Sequence, residues 1–295
     1  MIYSILIIAA RKRTPVVELQ FKGHHALFLI LVFIDFIIGP DLYFMMKISI
    51  ITVVRNGAHT IRDCIESVLN QTYPVEYIII DGCSTDGTLD IVKEYGSKIS
   101  RVVSEPDKGI YDAMNKGIGL TTGDVVGLLN ADDFYINNQI LAKIIDEFQT
   151  KSVDSVFADL VYVRPDNLNK IVRFYSGANF DLRIFAYGWM PPHPTFFVKR
   201  KIYEKYGSFR TDYKIAADFE LLVRFLVKQR VSFSYLPEVL VKMRTGGAST
   251  RNLKSNWILN NEIIRACAEN GIKTNLAKVM MKYFKKIFQL IDRPK

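Results

Sequence analysis

The apolar residues Val125, Val126, Leu128 and Leu129 run straight into Asn130, Ala131, Asp132 and Asp133. A buried strand that ends on a carboxamide and two adjacent carboxylates gathers oxygen ligands at the carboxyl end of a sheet, where open α/β sheets bind their ligands. Neighbouring carboxylates repel unless a cation lies between them, and hard oxygen donors suit Mg2+ or Mn2+. Asp132 and Asp133 are therefore candidate metal ligands, and a diphosphate is the natural companion of such an ion. A competing reading makes both acids caps of a helix starting near Asn137.

Other chemistry-bearing residues are scattered along the chain. Asp81 follows the apolar run VEYIII (75–80) and opens the turn-rich stretch DGCSTDGT (81–88), where its carboxylate can accept from a base imide or a ribose hydroxyl. Asp218 stands at the amino end of IAADFELLVRF (215–225), where the helix dipole stabilises an acid and a general base is well placed. In that helix Phe219, Leu222, Val223 and Phe225 form the expected buried set, Glu220 faces solvent and Arg224 reaches for a carboxylate. His193 is presented by the proline-stiffened loop WMPPHPTFF (189–197). In MRTGGAST (243–250), Arg244 can pair with phosphate oxygens, while Gly246 and Gly247 allow hinge motion over a ligand. Cys83 has no His near it in sequence to act as a base, and is read as a small filler.

The elements that must position these residues alternate strand and helix from Lys47 onward, which implies right-handed β-α-β units and a mainly parallel sheet. Expected strands are KISIITVV (47–54), VEYIII (75–80), ISRVVS (99–104) and the run to Asn130. Thr60 and Asp63 have the spacing of a capping box at the first helix, and a second helix carries Tyr111 to Ile118. After Asn130 the pattern is mixed, with short β pieces near 155–163 and 195–198, a helix over 216–227, and a last strand pair at 231–235 and 239–243. The expected fold class is therefore α/β, a Rossmann-like nucleotide-binding sheet with a mixed acceptor-side half and C-terminal helices. No GxGxxG follows the first strand, which argues against a dinucleotide enzyme.

With 295 residues, 49% apolar and 23% charged, the chain can bury a large core. The formal charge of +9 is concentrated in residues 251–295, where ten Lys/Arg against three acids leave a net of +7. A nucleic-acid partner is not expected from that distribution. Residues 1–46 carry two apolar runs, Ile2 to Ala10 and Ala26 to Ile38, each shorter than the roughly 20 residues of a spanning helix. They read as an extension ahead of a start at Met45 or Met46, or as a weak membrane segment. Residues 47–250 read as the catalytic domain. The tail LAKVMMKYFKKIFQLI (276–291) places Val279, Met280, Tyr283, Phe284, Ile287 and Ile291 at helical spacing beside Lys278, Lys282, Lys285 and Lys286, a pattern suited either to an anionic membrane surface or to a helix that packs its stripe on the catalytic domain with its lysines solvated. Three widely spaced cysteines, Cys64, Cys83 and Cys267, predict no disulfide.

Taken in order, the strand ending in Arg55 and Asn56, QTYP (71–74), IIIDGCSTDGT (78–88), SEPDKGIYDAMNKG (104–117), GDVVGLLNADD (123–133), PPHPTFF (191–197), ADFELL (217–222) and RTGGAS (244–249) resemble family-two glycosyltransferases of the GT-A fold. Bacterial members that build exopolysaccharide, O-antigen or colanic-acid-type chains share this order, and the match runs from about Lys47 to Thr250. The resemblance implies inverting transfer of a sugar from a nucleoside diphosphate, usually UDP, with a divalent metal on the diphosphate. It matches Asp81 to the acid that reads the nucleoside, Asp132 to the last acid of the Asp-X-Asp motif and Asp218 to the catalytic base. It also puts Asp107, Asn130 and Arg244 in the donor site, and His193, Gly246 and Gly247 on the acceptor side. Asn130 replaces the motif's first acid, so the metal must lean on Asp132, together with Asp133. The implied acceptor is a saccharide, free or lipid-linked, and the implied location is cytoplasmic, peripheral on the inner face of the plasma membrane. A nucleotidyltransferase would want a Gly-rich basic loop after the first strand, and TVVRNGAHT (52–60) has one Gly and one Arg. A non-catalytic scaffold of the same fold is the other alternative.

Overall fold

The computed structural model describes residues 2–5, 19–22, 45–246 and 253–284, and falls into two units, Met1–Met45 and Met46–Lys295. In the first unit, β1 (Ile2–Ile5) pairs antiparallel with β2 (Leu19–Lys22). The apolar run Ala26 to Ile38 lies outside the described residues. No helix among those described is long and apolar enough to cross a membrane.

The second unit is organised on one nine-stranded sheet. Strands β3 (Ile48–Val54), β4 (Val75–Asp81), β5 (Arg101–Ser104) and β6 (Val125–Leu128) lie parallel in the order β5-β4-β3-β6. They alternate with α1 (Ile61–Leu69), α2 (Thr88–Lys93) and α3 (Ile110–Leu120). Beyond β6 follow β7 (Asp133–Tyr135), α4 (Ile140–Lys151), β8 (Ser155–Arg164), β9 (Asn167–Tyr175), β10 (Phe197–Lys199), α5 (Arg200–Tyr206), α6 (Ala217–Val223) and β11 (Phe233–Arg244). The sheet continues from β6 through β10, β8 and β11 to β7, and β9 pairs with β8. Helices α7 (Leu253–Glu269) and α8 (Leu276–Met280) close the described chain.

The inner strands β3, β4 and β6 are mostly apolar because both sheet faces are covered there, whereas the edge strand β5 is largely exposed. Ile48 and Ile50 pack with Ile61, Ile65 and Ile144 on one side, whereas Ile51 and Val53 pack with Met114, Ile118 and Leu222 on the other. Helix α3 comes especially close. A Cβ on Gly117 would stand 2.4 Å from Ile51 Cγ2 and 3.4 Å from Ile80 Cγ1.

Several expectations need correction. Thr60 makes no side-chain cap bond, and Asp63, the other half of the supposed box, pairs with Arg244 instead. The segment 231–243 is one strand rather than two: β11 runs alongside β8 with register shifts between Leu236 and Val241, around Pro237, which has no N–H to donate. Strand β9 was not foreseen, because NLNKIVRFY is polar on its exposed part. Glu220 does not face solvent; it is 1% exposed and bound by Arg224 at 3.0 Å, whose guanidinium also donates to the carbonyls of Tyr206, Gly207 and Ser208. The tail stripe is split as well. Val279 and Lys282 are buried, whereas Met281 and Phe284 are exposed. Ile287, Ile291, Lys285 and Lys286 lie outside the described residues.

The α3 contact yields a stability prediction. Gly117→Ala gains helix propensity of up to about 1 kcal/mol, but overpacking against a β-branched Ile costs about 1–3 kcal/mol. Thermal unfolding should show a lower Tm; an unchanged or higher Tm would mean that the helix can lift off the sheet freely.

Candidate active site

Because β5, β4, β3 and β6 are parallel, the loops that follow them share one edge. Asp81, Asp107, Asn130 and Asp132 are brought to that edge by topology. The loop after β3 is laced to the loop after β4: Asn56, at a left-handed φ of 54°, donates its N–H to Ser84 Oγ and accepts from Thr85 N, and Ala58 N donates to Asp86. Asp86 also takes the Thr88 N–H at the start of α2. Thus the RN and STD segments form one wall.

Asp81 is fully buried and accepts from Ser84 N and from Ser104 Oγ at 2.6 Å. These bonds leave lone pairs of its carboxylate for a further donor. Asp107 lies across Gly82, where a Cβ would fall 2.2 Å from Asp107 Oδ2, so the carboxylate is seated against the bare Gly82 backbone. Cys83, expected as a filler, is exposed, with φ of 57°.

At the tip of β6 the two acids part company. Asp133 N donates to Asn130 O in a tight turn, and Asp133 enters β7 opposite Met243 of β11. Its carboxylate is completely buried and neither oxygen has a hydrogen-bond partner. Burial, with the charge of Asp132 adding to it, pushes the Asp133 carboxyl well above the ordinary carboxylate range. It lies in the interior rather than at the open edge where a metal ligand was expected, and it does not cap α4, which begins seven residues later. Asp132 stays half-buried, and no hydrogen bond to its carboxylate is formed among the described residues. Among those residues no cluster of three or more His, Cys, Asp or Glu exists that could cage a cation. Mg2+-type sites on one or two protein oxygens completed by substrate phosphates need no such cluster, and Asp132 with Asn130 fits that mode.

Arg244 ends β11 and joins this tip to the rest of the molecule. Its guanidinium donates to Asp132 O at 2.6 Å and to Asp63 Oδ2 of α1, and lies 4.9 Å from the Phe134 ring centre. Sequence reasoning aimed this Arg at a phosphate; the structure shows it bracing the turn that carries Asp132. Gly246 follows at φ of 101°, while Gly247 lies outside the described residues.

On the opposite wall, α6 presents Asp218. Asp218 Oδ2 is 3.3 Å from His193 Nδ1, and Oδ1 accepts from Phe219 N. Tyr111 Oη gives its proton to Ile215 O at 2.5 Å and stands 3.5 Å from Asp218 Oδ1. Burial, then the charge of Asp218, hold the Tyr111 phenol far above its usual range, so it remains neutral. The short helical turn His193–Thr195 positions the imidazole: Thr195 Oγ1 donates to Ala158 O of β8. A residue that sequence reasoning missed secures the whole approach to α6. Glu262 of α7 collects the N–H groups of Lys214, Ile215 and Ala216 at 2.7–2.9 Å. No sequence pattern links residues 214–216 to 262, some 46 positions away.

A cavity of 330 Å³ is lined by Asp218 and His193 together with Arg244, Thr245 and Gly246.

Comparison with known proteins agrees with this geometry. The Glycosyl transferase family 2 model matches residues 49–207, more than half of the chain, and the protein belongs to that family. It is 28% identical over 224 residues to a PGL/p-HBAD biosynthesis glycosyltransferase of Mycobacterium tuberculosis, covering 74% of this chain and 82% of the relative. An uncharacterized glycosyltransferase of Rickettsia typhi is 31% identical over 224 residues, covering 72% and 68%. Among solved structures, Staphylococcus aureus TarS 1–349 in complex with UDP-GlcNAc superposes with a TM-score of 0.63 at 19% identity, over 81% of this chain and 73% of that one. The mannosyltransferase PcManGT of Pyrobaculum calidifontis, in complex with GDP-Man and Mn2+, gives 0.58 at 19%, over 84% and 73%. The fold is the GT-A fold, a mixed α/β architecture on a mainly parallel sheet.

Glu262 supplies the prediction for this site. Glu262→Ala strips three backbone donors of a charged acceptor, each bond worth about 1.5–3 kcal/mol, and frees the segment leading to Asp218. Glycosyl transfer should fall at least tenfold while nucleotide affinity, measured by calorimetry, holds within about twofold. Equal loss of both would make Glu262 a general stability residue.

Proposed function

We propose that this chain is an inverting hexosyltransferase that moves a sugar from a nucleoside-diphosphate donor, of the UDP type, to a hydroxyl of a growing surface saccharide. The observation that carries this reading is a cavity lined both by Asp218, held by His193, and by Arg244, whose guanidinium braces the turn of Asp132. A base on one wall and a phosphate-facing acid on the other suit a single displacement. The neighbours' nucleotide-sugar ligands, UDP-GlcNAc and GDP-Man, support the donor class.

In this mechanism the nucleoside lies along the wall built by Asn56, Ser84 and Asp107, where Asp81 accepts from its base or ribose. Asp218 takes the proton of the acceptor hydroxyl as that oxygen forms its bond to the anomeric carbon. The carbon–oxygen bond to the diphosphate breaks on the opposite side, and the leaving group departs with the electron pair. His193 fixes the orientation of the carboxylate, as a base's partner does in other acid–base pairs. A divalent ion held by Asp132 and Asn130 would offset the negative charge that builds on the diphosphate.

Asp218→Asn tests the base. The variant keeps size and burial, so UDP affinity should stay within about twofold while transfer drops about 10²–10⁴-fold. Near wild-type turnover would remove Asp218 from the mechanism.

The location we propose is peripheral, on an anionic membrane surface that supplies a lipid-linked acceptor. Trp257 and Phe284, each 69% exposed, and Met281, 53% exposed, support this reading together with the basic tail. Replacing all three by Ser should reduce co-sedimentation with anionic liposomes several-fold, and salt should weaken what wild-type binding there is. Equal sedimentation of variant and wild type would place any membrane contact elsewhere.

A further inference from the structure

One cation of the cavity has no part in the mechanism above. Arg173 of β9 lies with its guanidinium carbon 3.7 Å from the ring centre of Tyr162, its cross-strand partner on β8, and lines the same cavity as Asp218. Its Nε is buried with no hydrogen-bond partner, and no ion pair among the described residues includes it. Arg244, in contrast, has its fork taken up by Asp132 and Asp63. An oxyanion in the cavity would give this guanidinium the charged partner that no described residue supplies. The surroundings are those of a saccharide seat rather than of a nucleotide. Tyr162, Tyr175 and Trp189 wall this end, with Tyr175 and Trp189 edge to face at 5.2 Å, and Tyr175 anchored through its hydroxyl to Met190 O. Burial raises the phenols of both tyrosines and the charge of Arg173 opposes it, with Asp218 a smaller contributor to the rise. The donor's phosphates belong at the tip of β6; Arg173 is carried by β9, an extra strand hung on β8 in the other half of the sheet.

We propose that the acceptor is anionic: the sugar that offers its hydroxyl to Asp218 carries a carboxylate or phosphate group that seats on Arg173, its ring against the aromatic wall. Arg forks pair bidentately with either oxyanion. The inference rests on the transferase reading and narrows its acceptor class.

Calorimetric titration of the full chain, preloaded with saturating UDP and Mn2+ so that the donor site is closed to phosphates, tests it. The probes are methyl glucuronoside for a sugar carboxylate, farnesyl diphosphate for a lipid phosphate, and neutral methyl glucoside. One of the two anionic probes should bind at least tenfold more tightly than methyl glucoside, and which one does so identifies the source of the charge. That preference should vanish in Arg173→Gln and return in large part in Arg173→Lys, a pattern that misfolding cannot produce. No anion preference in a wild type that binds UDP would overturn the proposal alone. Weakened UDP binding in Arg173→Gln would also overturn it, by moving Arg173 to the donor. A wild type that binds no nucleoside diphosphate would bring down the transferase reading beneath it.

Discussion

Crowding of carboxylates is the constraint that shapes this molecule. Parallel strands bring Asp81, Asp107, Asp132 and Asp133 toward one edge, and α6 adds Asp218 across the cavity, so each acid needs its own means of compensation. Asp81 is stabilised by hydrogen bonds from Ser84 and Ser104. Asp218 has an imidazole beside it. Asp133 is withdrawn into the interior, where burial pushes its carboxyl well above the ordinary range. Asp132 alone keeps an accessible carboxylate without a donor, and the positive charge nearest to it, Arg244, binds its carbonyl instead. That residual negative charge is what a cation with its diphosphate would neutralise.

Arg244 also explains how two halves of the sheet hold one site. The chain leaves β6, turns at Asn130–Asp133 and pairs at the far edge of the sheet with β11. Asp132 therefore sits where the parallel half of the sheet hands over to the mixed half. The Arg244 fork, spanning that turn and α1, holds the hand-over in place, and the cavity forms beside it. On the acceptor side Glu262 does the equivalent work from α7, so the C-terminal helices contribute to the geometry of the proposed base even though the family match ends at residue 207.

Much of the parallel half was legible in the sequence, because strands buried on both faces must be continuously apolar and their loops must share an edge. The runs ending at Val54, Asp81 and Leu128 are of this kind, and they put Asp81 and Asp132 on one rim. The mixed half was harder to read. Pro237 looks like a break between strands, yet β11 absorbs it as an irregularity. Glu220 looks solvent-facing until Arg224 and the 206–208 carbonyls are found around it. Asp132 and Asp133 are indistinguishable as letters; only the pairing of β7 with β11 turns one inward. Glu262 and Arg173 act through contacts between segments distant in sequence, and no local pattern announces them.

The division of labour between the two neighbouring acids is the central claim, and it can be measured directly. Electron paramagnetic resonance of Mn2+ in the presence of UDP, on wild type, Asp132→Asn and Asp133→Asn, compares them under one condition. The account predicts that Asp132→Asn weakens formation of the protein-bound Mn2+–UDP signal by tenfold or more. Asp133→Asn, which keeps the size of a fully buried side chain, should leave it within about threefold. Loss of the signal in Asp133→Asn with its retention in Asp132→Asn would contradict the account.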